Sequence, residues 1–252
     1  MKEQNQFGDK IATVFRVLGI SQYSLLRQQT YLAIHPFYGS CVVKFAFTVT
    51  TKQQLNTEAV FLHNHNELCW PKYIDYGSTM GMDWLIIEFL DTLCGNMRNF
   101  NIVERQKVTK SAEQALHTLH SKGYIHGDIK PSNLIVTLSH EVKLIDLGGI
   151  VPIGANYREH NVPSLTPKFC HLTPFLRTGQ ASPQHDYFSL AVSLQTIWKK
   201  HPFEDLSLLE FVKNNDLPEL EALFSRYQIL ISKQIKLAKR STHQYLSTQV
   251  NT

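Results

Sequence analysis

The sequence predicts an α+β chain, in which a small strand-rich N-terminal part with one helix precedes a mainly helical C-terminal part. Three observations predict it. Two β-branched and aromatic runs, Val42-Val43-Lys44-Phe45-Ala46-Phe47 and Trp84-Leu85-Ile86-Ile87-Glu88-Phe89-Leu90, have the character of strands. Between them Leu55, Val60, Phe61 and Leu62 fall on one helical stretch. Beyond Gly95 the apolar residues recur at helical rather than alternating spacing.

The 252 residues suffice to bury a substantial core, as one large domain or as two small lobes. Hydrophobic residues at 43% and charged residues at 18% exclude a disordered chain. The net charge of +4 is mildly basic, and the phosphates of a nucleotide account for it as readily as a nucleic acid does. No segment gives a clear nucleic-acid signal. Cys41, Cys69, Cys94 and Cys170 lie far apart with no CxxC pair, which points to reduced thiols in a cytoplasmic chain rather than a disulfide framework or a zinc ribbon. The start MKEQNQFGDK is polar and lacks the apolar core of a secretory signal. No apolar run approaches the ~20 residues of a membrane-spanning helix, so no membrane partner is expected. His63 with His65, or His117 with His120, could share a metal, but no Cys or carboxylate cluster completes either set, and surface or core packing is the simpler reading.

Taken in order, Thr50 and Thr51 offer an N-cap for the first helix, and the polar His63-Asn64-His65-Asn66 ends it. Pro71 to Gly77, a turn across Ser78 to Gly81, and the Trp84 to Leu90 strand read as a hairpin feeding a connecting segment. Val108, Ala112, Ala115, Leu116 and Leu119 then repeat at helical spacing up to Lys122-Gly123. Gly148 to Gln184 is proline-rich and aperiodic, an irregular loop. Tyr187 to Trp198 is helical and apolar, and Leu217 to Leu237 carries a helical stripe of Leu220, Leu223, Phe224, Tyr227, Leu230 and Ile231. The basic stretch Lys233 to Arg240 reads as a solvated helix face.

The most informative segment is Tyr124 to Ile135, YIHGDIKPSNLI. It places His126, Asp128, Lys130 and Asn133 on one short polar loop, and after the apolar run Val142 to Ile145 comes Asp146-Leu147-Gly148. Two acidic groups and a carboxamide facing a lysine suit the handling of a magnesium-bound polyphosphate beside a hydroxyl nucleophile. The order resembles the catalytic and metal-binding loops of protein kinases, H-R-D-x-K-x-x-N followed by D-F-G. The resemblance spans roughly Leu18 to Phe203. It implies a bilobal protein kinase-like fold over residues 1–252, with an N-lobe at 10–90 of antiparallel strands and one helix, a C-lobe at 91–252, and a junction near Glu88 to Asp91. It also implies ATP and Mg2+ as nucleotide and cofactor, and a protein whose Ser or Thr hydroxyl is the acceptor.

Residue by residue, the resemblance makes Asp128 the catalytic base, Lys130 a contact to the transferring phosphoryl group, and Asn133 and Asp146 the magnesium ligands. Lys44 would hold the α- and β-phosphates, paired with Glu58, with Glu67 as the alternative partner. Glu88, Phe89 and Leu90 match the hinge that meets the adenine edge, Ile87 the gatekeeper, and Val42, Ile135 and Ile145 the residues sandwiching the base. His126 would pack and hydrogen-bond within the loop, and Asp186 would anchor the loop backbone from a helix.

The pattern also breaks. The best match to the glycine-rich phosphate loop is Leu18-Gly19-Ile20-Ser21-Gln22-Tyr23-Ser24-Leu25-Leu26, which keeps Gly19 and has serine at two glycine positions. Gly127 replaces the arginine that receives a phosphorylated activation loop, so such switching is not expected. Thr173-Pro174-Phe175 stands where A-P-E belongs, and little chain follows Phe203, implying a compact, constitutively assembled fold of bacterial or viral type. The alternatives are a pseudokinase scaffold, favoured by the serine-substituted loop, and a small-molecule kinase, against which Lys130 and the Asp186 segment argue.

Overall fold

A computed structural model of the chain describes residues 2–93, 96–159, 165–214 and 217–249. Cys94 and Gly95 lie outside them; Cys41, Cys69 and Cys170 are free thiols. The chain divides into two compact units: one of residues up to Asp91 together with Asp146–Gly148, the other of Thr92–Ile145 and the chain from Gly149 onward.

The first unit opens with a helix that the sequence reading lacks, α1 (Lys2–Val17). Its signal is Ile11, Val14, Phe15 and Leu18, apolar at helical spacing behind a polar start. Then follow β1 (Gln22–Arg27), β2 (Thr30–His35), β3 (Gly39–Ala46), helix α2 (Val49–Asn64), β4 (Tyr73–Thr79) and β5 (Met82–Glu88). The strands form one antiparallel sheet in the order β1-β2-β3-β5-β4, so the strand-rich α+β architecture is present, with two helices where the sequence predicts one.

Side-chain alternation gives the sheet two faces. Cys41, Val43 and Phe45 of β3 join Met82, Trp84 and Ile86 of β5, Ala33 of β2 and Ile11, Val14 and Phe15 of α1 in one buried cluster. Phe15 is fully buried and stacks on Tyr23, ring centroids 4.0 Å apart. Val42 and Lys44 occupy the opposite face of β3, across from Ile87 and Leu85 of β5.

Gly19, expected in a phosphate loop, lies at the end of a helix. It takes φ +69° just past the end of α1. The Gly19 N–H donates to Arg16 O at 3.1 Å and the Ile20 N–H to Phe15 O at 2.8 Å, while Ile20 and Phe15 share the buried cluster. That is a Schellman cap, whose left-handed residue is most often glycine. The hairpin turn lies farther on, at Gln28 and Gln29, between the paired Arg27 and Thr30.

The cap of α2 is Thr48, not Thr50 or Thr51. Thr48 Oγ1 accepts from the Thr51 N–H at 3.2 Å and Thr51 Oγ1 from the Thr48 N–H at 3.0 Å, a reciprocal capping box that satisfies two otherwise orphaned donors. At the other end His65 turns extended, where the polar run was read to stop the helix. β5 begins two residues earlier than the apolar run and ends at Glu88, leaving Phe89 and Leu90 outside it.

The second unit holds α3 (Ile102–Ser121), β6 (Tyr124–Ile125), β7 (Leu134–Val136), β8 (Val142–Leu144), β9 (Val151–Pro152), α4 (Leu172–Phe175), α5 (Pro183–Trp198), α6 (Leu208–Lys213) and α7 (Ser225–Gln249). Asn101 and Glu104 form a capping box at the start of α3, and Val108, Ala112, Ala115, Leu116 and Leu119 are its buried stripe. Helix α5 is buried nearly all round, as a central core helix must be. The stretch read as irregular contains β9, paired with β6, and the single turn α4. The last helix starts at Ser225, so Leu220 and Leu223 precede it, and Tyr227, Ile231, Ile235 and Ala238 are buried. Among the described residues no helix is long and apolar enough to cross a membrane.

Candidate active site

Each unit carries a polar cluster of its own. In the first, Lys44 Nζ donates to both oxygens of Glu58, at 2.8 and 2.7 Å. The two side chains are almost fully buried, on a strand and a helix whose remaining inward residues are apolar. Lys44 Nζ also lies 3.6 Å from Asp146 Oδ1. Burial opposes the ammonium, but Glu58 and Asp146 outweigh it and hold the Lys44 pKa above its ordinary value. The partner is thus Glu58, not the alternative Glu67.

Glu58 does a second job: its Oε1 accepts from the Leu147 N–H at 3.4 Å. Asp146 itself has a left-handed backbone, φ +69°, a conformation that costs a non-glycine residue free energy. Leu147 beside it is fully buried. Gly148 passes so close to α2 that a Cβ there would sit 2.7 Å from Gln54 O. A buried ion pair, a strained aspartate and a glycine contact therefore fix one short segment against α2.

In the second unit Asp128 is almost fully buried, at 6% exposure. Its Oδ2 receives Lys130 Nζ at 2.6 Å and its Oδ1 receives the Thr166 N–H at 2.9 Å. Lys130 also donates to Thr166 Oγ1 at 3.0 Å. Asn133, fully buried, donates its Nδ2 to Asp128 O at 3.0 Å. This fixes the amide so that Oδ1 remains the acceptor end.

Asp186 holds the loop that carries these groups. Its Oδ2 accepts from the His126 N–H at 2.7 Å and its Oδ1 from the Gly127 N–H at 3.0 Å. Gly127 sits at φ +80°. His120 Nε2, on α3, lies 2.8 Å from the same Oδ2. His126 accepts the Asp128 N–H on Nδ1 at 3.3 Å and faces Ile145 O with Nε2 at 3.0 Å. The carbonyl assigns the proton to Nε2, and His126 is spent on shaping the loop. The same local turn, Nδ1 accepting the N–H two residues on, recurs at His35, His171 and His201.

The residues expected to meet the nucleotide base are divided between the two units. Ile87 is buried on β5 and pairs with Val42. The Glu88 backbone N–H donates to Lys72 O at 2.9 Å, and its side chain accepts from the Lys72 N–H at 3.1 Å. Leu90 is half-buried beyond the strand. Ile135 and Ile145 are half-buried, Ile135 opposite Lys143 and Ile145 bonded through its N–H to Asn133 O. Gly19 joins neither cluster.

Thr166 has no part in the sequence reading, and His120 enters it only as a candidate metal partner of His117. Thr166 lies in the aperiodic segment, where no spacing marks it. His120 lies on α3 four residues before Tyr124, and its signal was position on the helix face that meets Asp186. Among the described residues no group of three His, Cys, Asp or Glu could hold a metal. Magnesium does not need one, since one or two protein oxygens and phosphates suffice. The half-exposed Asp146 carboxylate and the oriented Asn133 Oδ1 are hard oxygen donors of the type it takes.

Comparison with known proteins identifies the family. Residues 43–247 match the protein kinase domain family, and the chain belongs to that family. A stretch of 99 residues is 29% identical to Citron Rho-interacting kinase of Mus musculus, covering 36% of this chain and 5% of that protein. Over 165 residues it is 27% identical to serine/threonine-protein kinase STE20 of Eremothecium gossypii, covering 62% of this chain and 17% of that protein. Over 153 residues it is 31% identical to serine/threonine-protein kinase pakA of Talaromyces marneffei, covering 56% and 23% respectively. The chain thus spans less than a quarter of each of these relatives.

Proposed function

We propose that this chain is an ATP- and magnesium-dependent phosphotransferase that moves the γ-phosphoryl group to a Ser or Thr hydroxyl of a protein. The observation that carries the reading is the Asp128–Lys130–Thr166 unit, built around a buried carboxylate. Asp128 has one oxygen against the Thr166 N–H and the other against an ammonium. It is held to orient an incoming hydroxyl and to accept its proton, while Lys130 offsets charge that develops on the phosphoryl oxygens. The hydroxyl oxygen bonds to the γ-phosphorus, the bond from that phosphorus to the β–γ bridging oxygen breaks, and ADP leaves.

Lys44, kept charged by Glu58, serves the α- and β-phosphates. Asn133 and Asp146 serve the magnesium ion, which when bound neutralises the phosphate oxygens and templates the nucleotide. Ile87, Glu88, Leu90, Val42, Ile135 and Ile145 are assigned to the adenine. The names of the relatives support a serine/threonine acceptor. A cytoplasmic setting goes with the reduced thiols.

The test is transfer from radiolabelled ATP to a generic basic protein, with Asp128→Asn as control. Turnover should fall by ~10²–10⁴-fold in the variant, the usual worth of a positioned base. Equal rates in the two proteins would defeat the assignment. One observation favours a second reading, a binding module without turnover: the first hairpin has no glycine at its turn. Nucleotide binding without transfer in the wild type would select that reading.

A further inference from the structure

The first hairpin runs Tyr23-Ser24-Leu25-Leu26-Arg27-Gln28-Gln29-Thr30 with no glycine. Gly19 caps α1 instead. Gln28 turns the chain at φ +43°, and the register slips between Leu25 and Arg27. A bulge of this kind re-aims a side chain. Here Arg27 reaches Asp146, with Nη2 at 3.9 Å from Oδ2. Lys44 Nζ stands 3.6 Å from the other oxygen, Oδ1. Two cations from two strands thus converge on one carboxylate.

Their situations differ. Lys44 is buried and matched by Glu58, whereas Arg27 has no second carboxylate among the described residues, and its side chain is 45% exposed. An exposed ion pair at 3.9 Å contributes little stability, so folding does not explain the placement of Arg27. A guanidinium offers a planar fork of donors that matches two phosphate oxygens at once, and a glycine-rich turn offers backbone amides to the same oxygens. A polyphosphate carries more charge than a single carboxylate and is the stronger partner for the fork.

We propose that Arg27 grips the nucleotide phosphates in this protein, replacing the backbone amides of a glycine-rich loop. The proposal rests on the phosphotransferase reading of the same residues, and deepens it by naming the side chain that supplies phosphate affinity. Loss of Arg27 should therefore weaken ligands in proportion to their phosphates and leave the nucleoside untouched.

Titration calorimetry of the full chain with ATP, ADP and adenosine, in magnesium, tests this on wild type, Arg27→Ala and Arg27→Lys. Arg27→Ala should bind ATP about tenfold to a hundredfold more weakly, the worth of a charge-assisted contact. Adenosine affinity should stay within twofold, and Arg27→Lys should fall between, because it keeps the charge and loses the fork. Arg27 is exposed at a turn, so an unchanged melting temperature will show that the fold survives. ATP affinity in Arg27→Ala within twofold of wild type overturns the proposal alone. Wild type that binds neither ATP nor adenosine overturns it together with the phosphotransferase reading.

Discussion

Glu58 receives the Lys44 ammonium on both oxygens and the Leu147 N–H on one of them. A single buried carboxylate therefore ties strand β3, helix α2 and the segment that carries Asp146. Removing one partner of a buried pair leaves an uncompensated charge and costs ~3–5 kcal/mol, whereas replacing both with apolar groups is close to neutral. Lys44→Met should lose about that much stability in urea denaturation. Lys44→Met with Glu58→Leu should recover most of the stability and none of the ATP turnover. Recovery of both would show that the pair has only a structural part.

Gly148 makes a second prediction at the same place. A Cβ there meets backbone atoms of Gln54, O at 2.7 Å and C at 3.1 Å, and backbone cannot swing aside as a side-chain tip can. Gly148→Ala should destabilise the first unit by ~1–3 kcal/mol, the usual cost of overpacking. A melting temperature equal to wild type would contradict the close approach.

The helix missing from the sequence reading is open to test through Phe15. Its ring is fully buried against Tyr23, Tyr31 and Phe45. Phe15→Ala should cost ~3–5 kcal/mol, as truncation of a core phenylalanine does. Val17, which is exposed, is the control: Val17→Ala should change stability by less than ~0.5 kcal/mol. Similar effects of the two substitutions would mean that α1 does not pack on the sheet.

Acid should loosen the second unit through two buried histidines. His171 Nδ1 accepts the Thr173 N–H at 3.1 Å; His185 Nδ1 accepts the Ser182 N–H at 3.3 Å and faces the Tyr157 hydroxyl at 2.8 Å. Burial, reinforced by His185, lowers His171 to about 3. Burial lowers His185 to about 4, against the opposing pull of Asp186. Both folded values lie below the ordinary 6.5, so the unfolded chain binds more protons as pH falls. Stability is then level above about pH 6.5 and declines from there towards pH 4, by up to ~1.4 kcal/mol per pH unit per histidine. Melting temperatures between pH 7 and 5 should show the fall, and His171→Asn with His185→Asn, which keeps the acceptors and removes their titration, should reduce it, while His201, which burial also lowers, keeps its share. An unchanged slope in the double variant would assign the acid sensitivity elsewhere.

Much of this molecule is legible in short-range pattern. The α+β order, the stripe of α3 and the polar loop from Tyr124 to Ile135 all follow from local spacing, because period and polarity are properties of neighbouring residues. The helix α1 was legible too, in Ile11, Val14, Phe15 and Leu18, yet its polar first turns mask it. Gly19 misleads for a related reason. A glycine with φ > 0 serves a helix cap and a phosphate loop equally well, and only the hydrogen bonds to Phe15 O and Arg16 O show which of the two it serves.

By itself the sequence determined the residue types of the candidate site and their order, since a base, a lysine and oxygen donors for a metal must be written into the chain. It also determined which strand and which helix would carry Lys44 and Glu58. The tertiary structure decided what no spacing encodes. It brought Thr166 onto Asp128, His120 onto Asp186, and Arg27 onto Asp146 across long separations. Such pairings depend on how strands turn, bulge and pack, and register and close approach are settled only when the whole core forms.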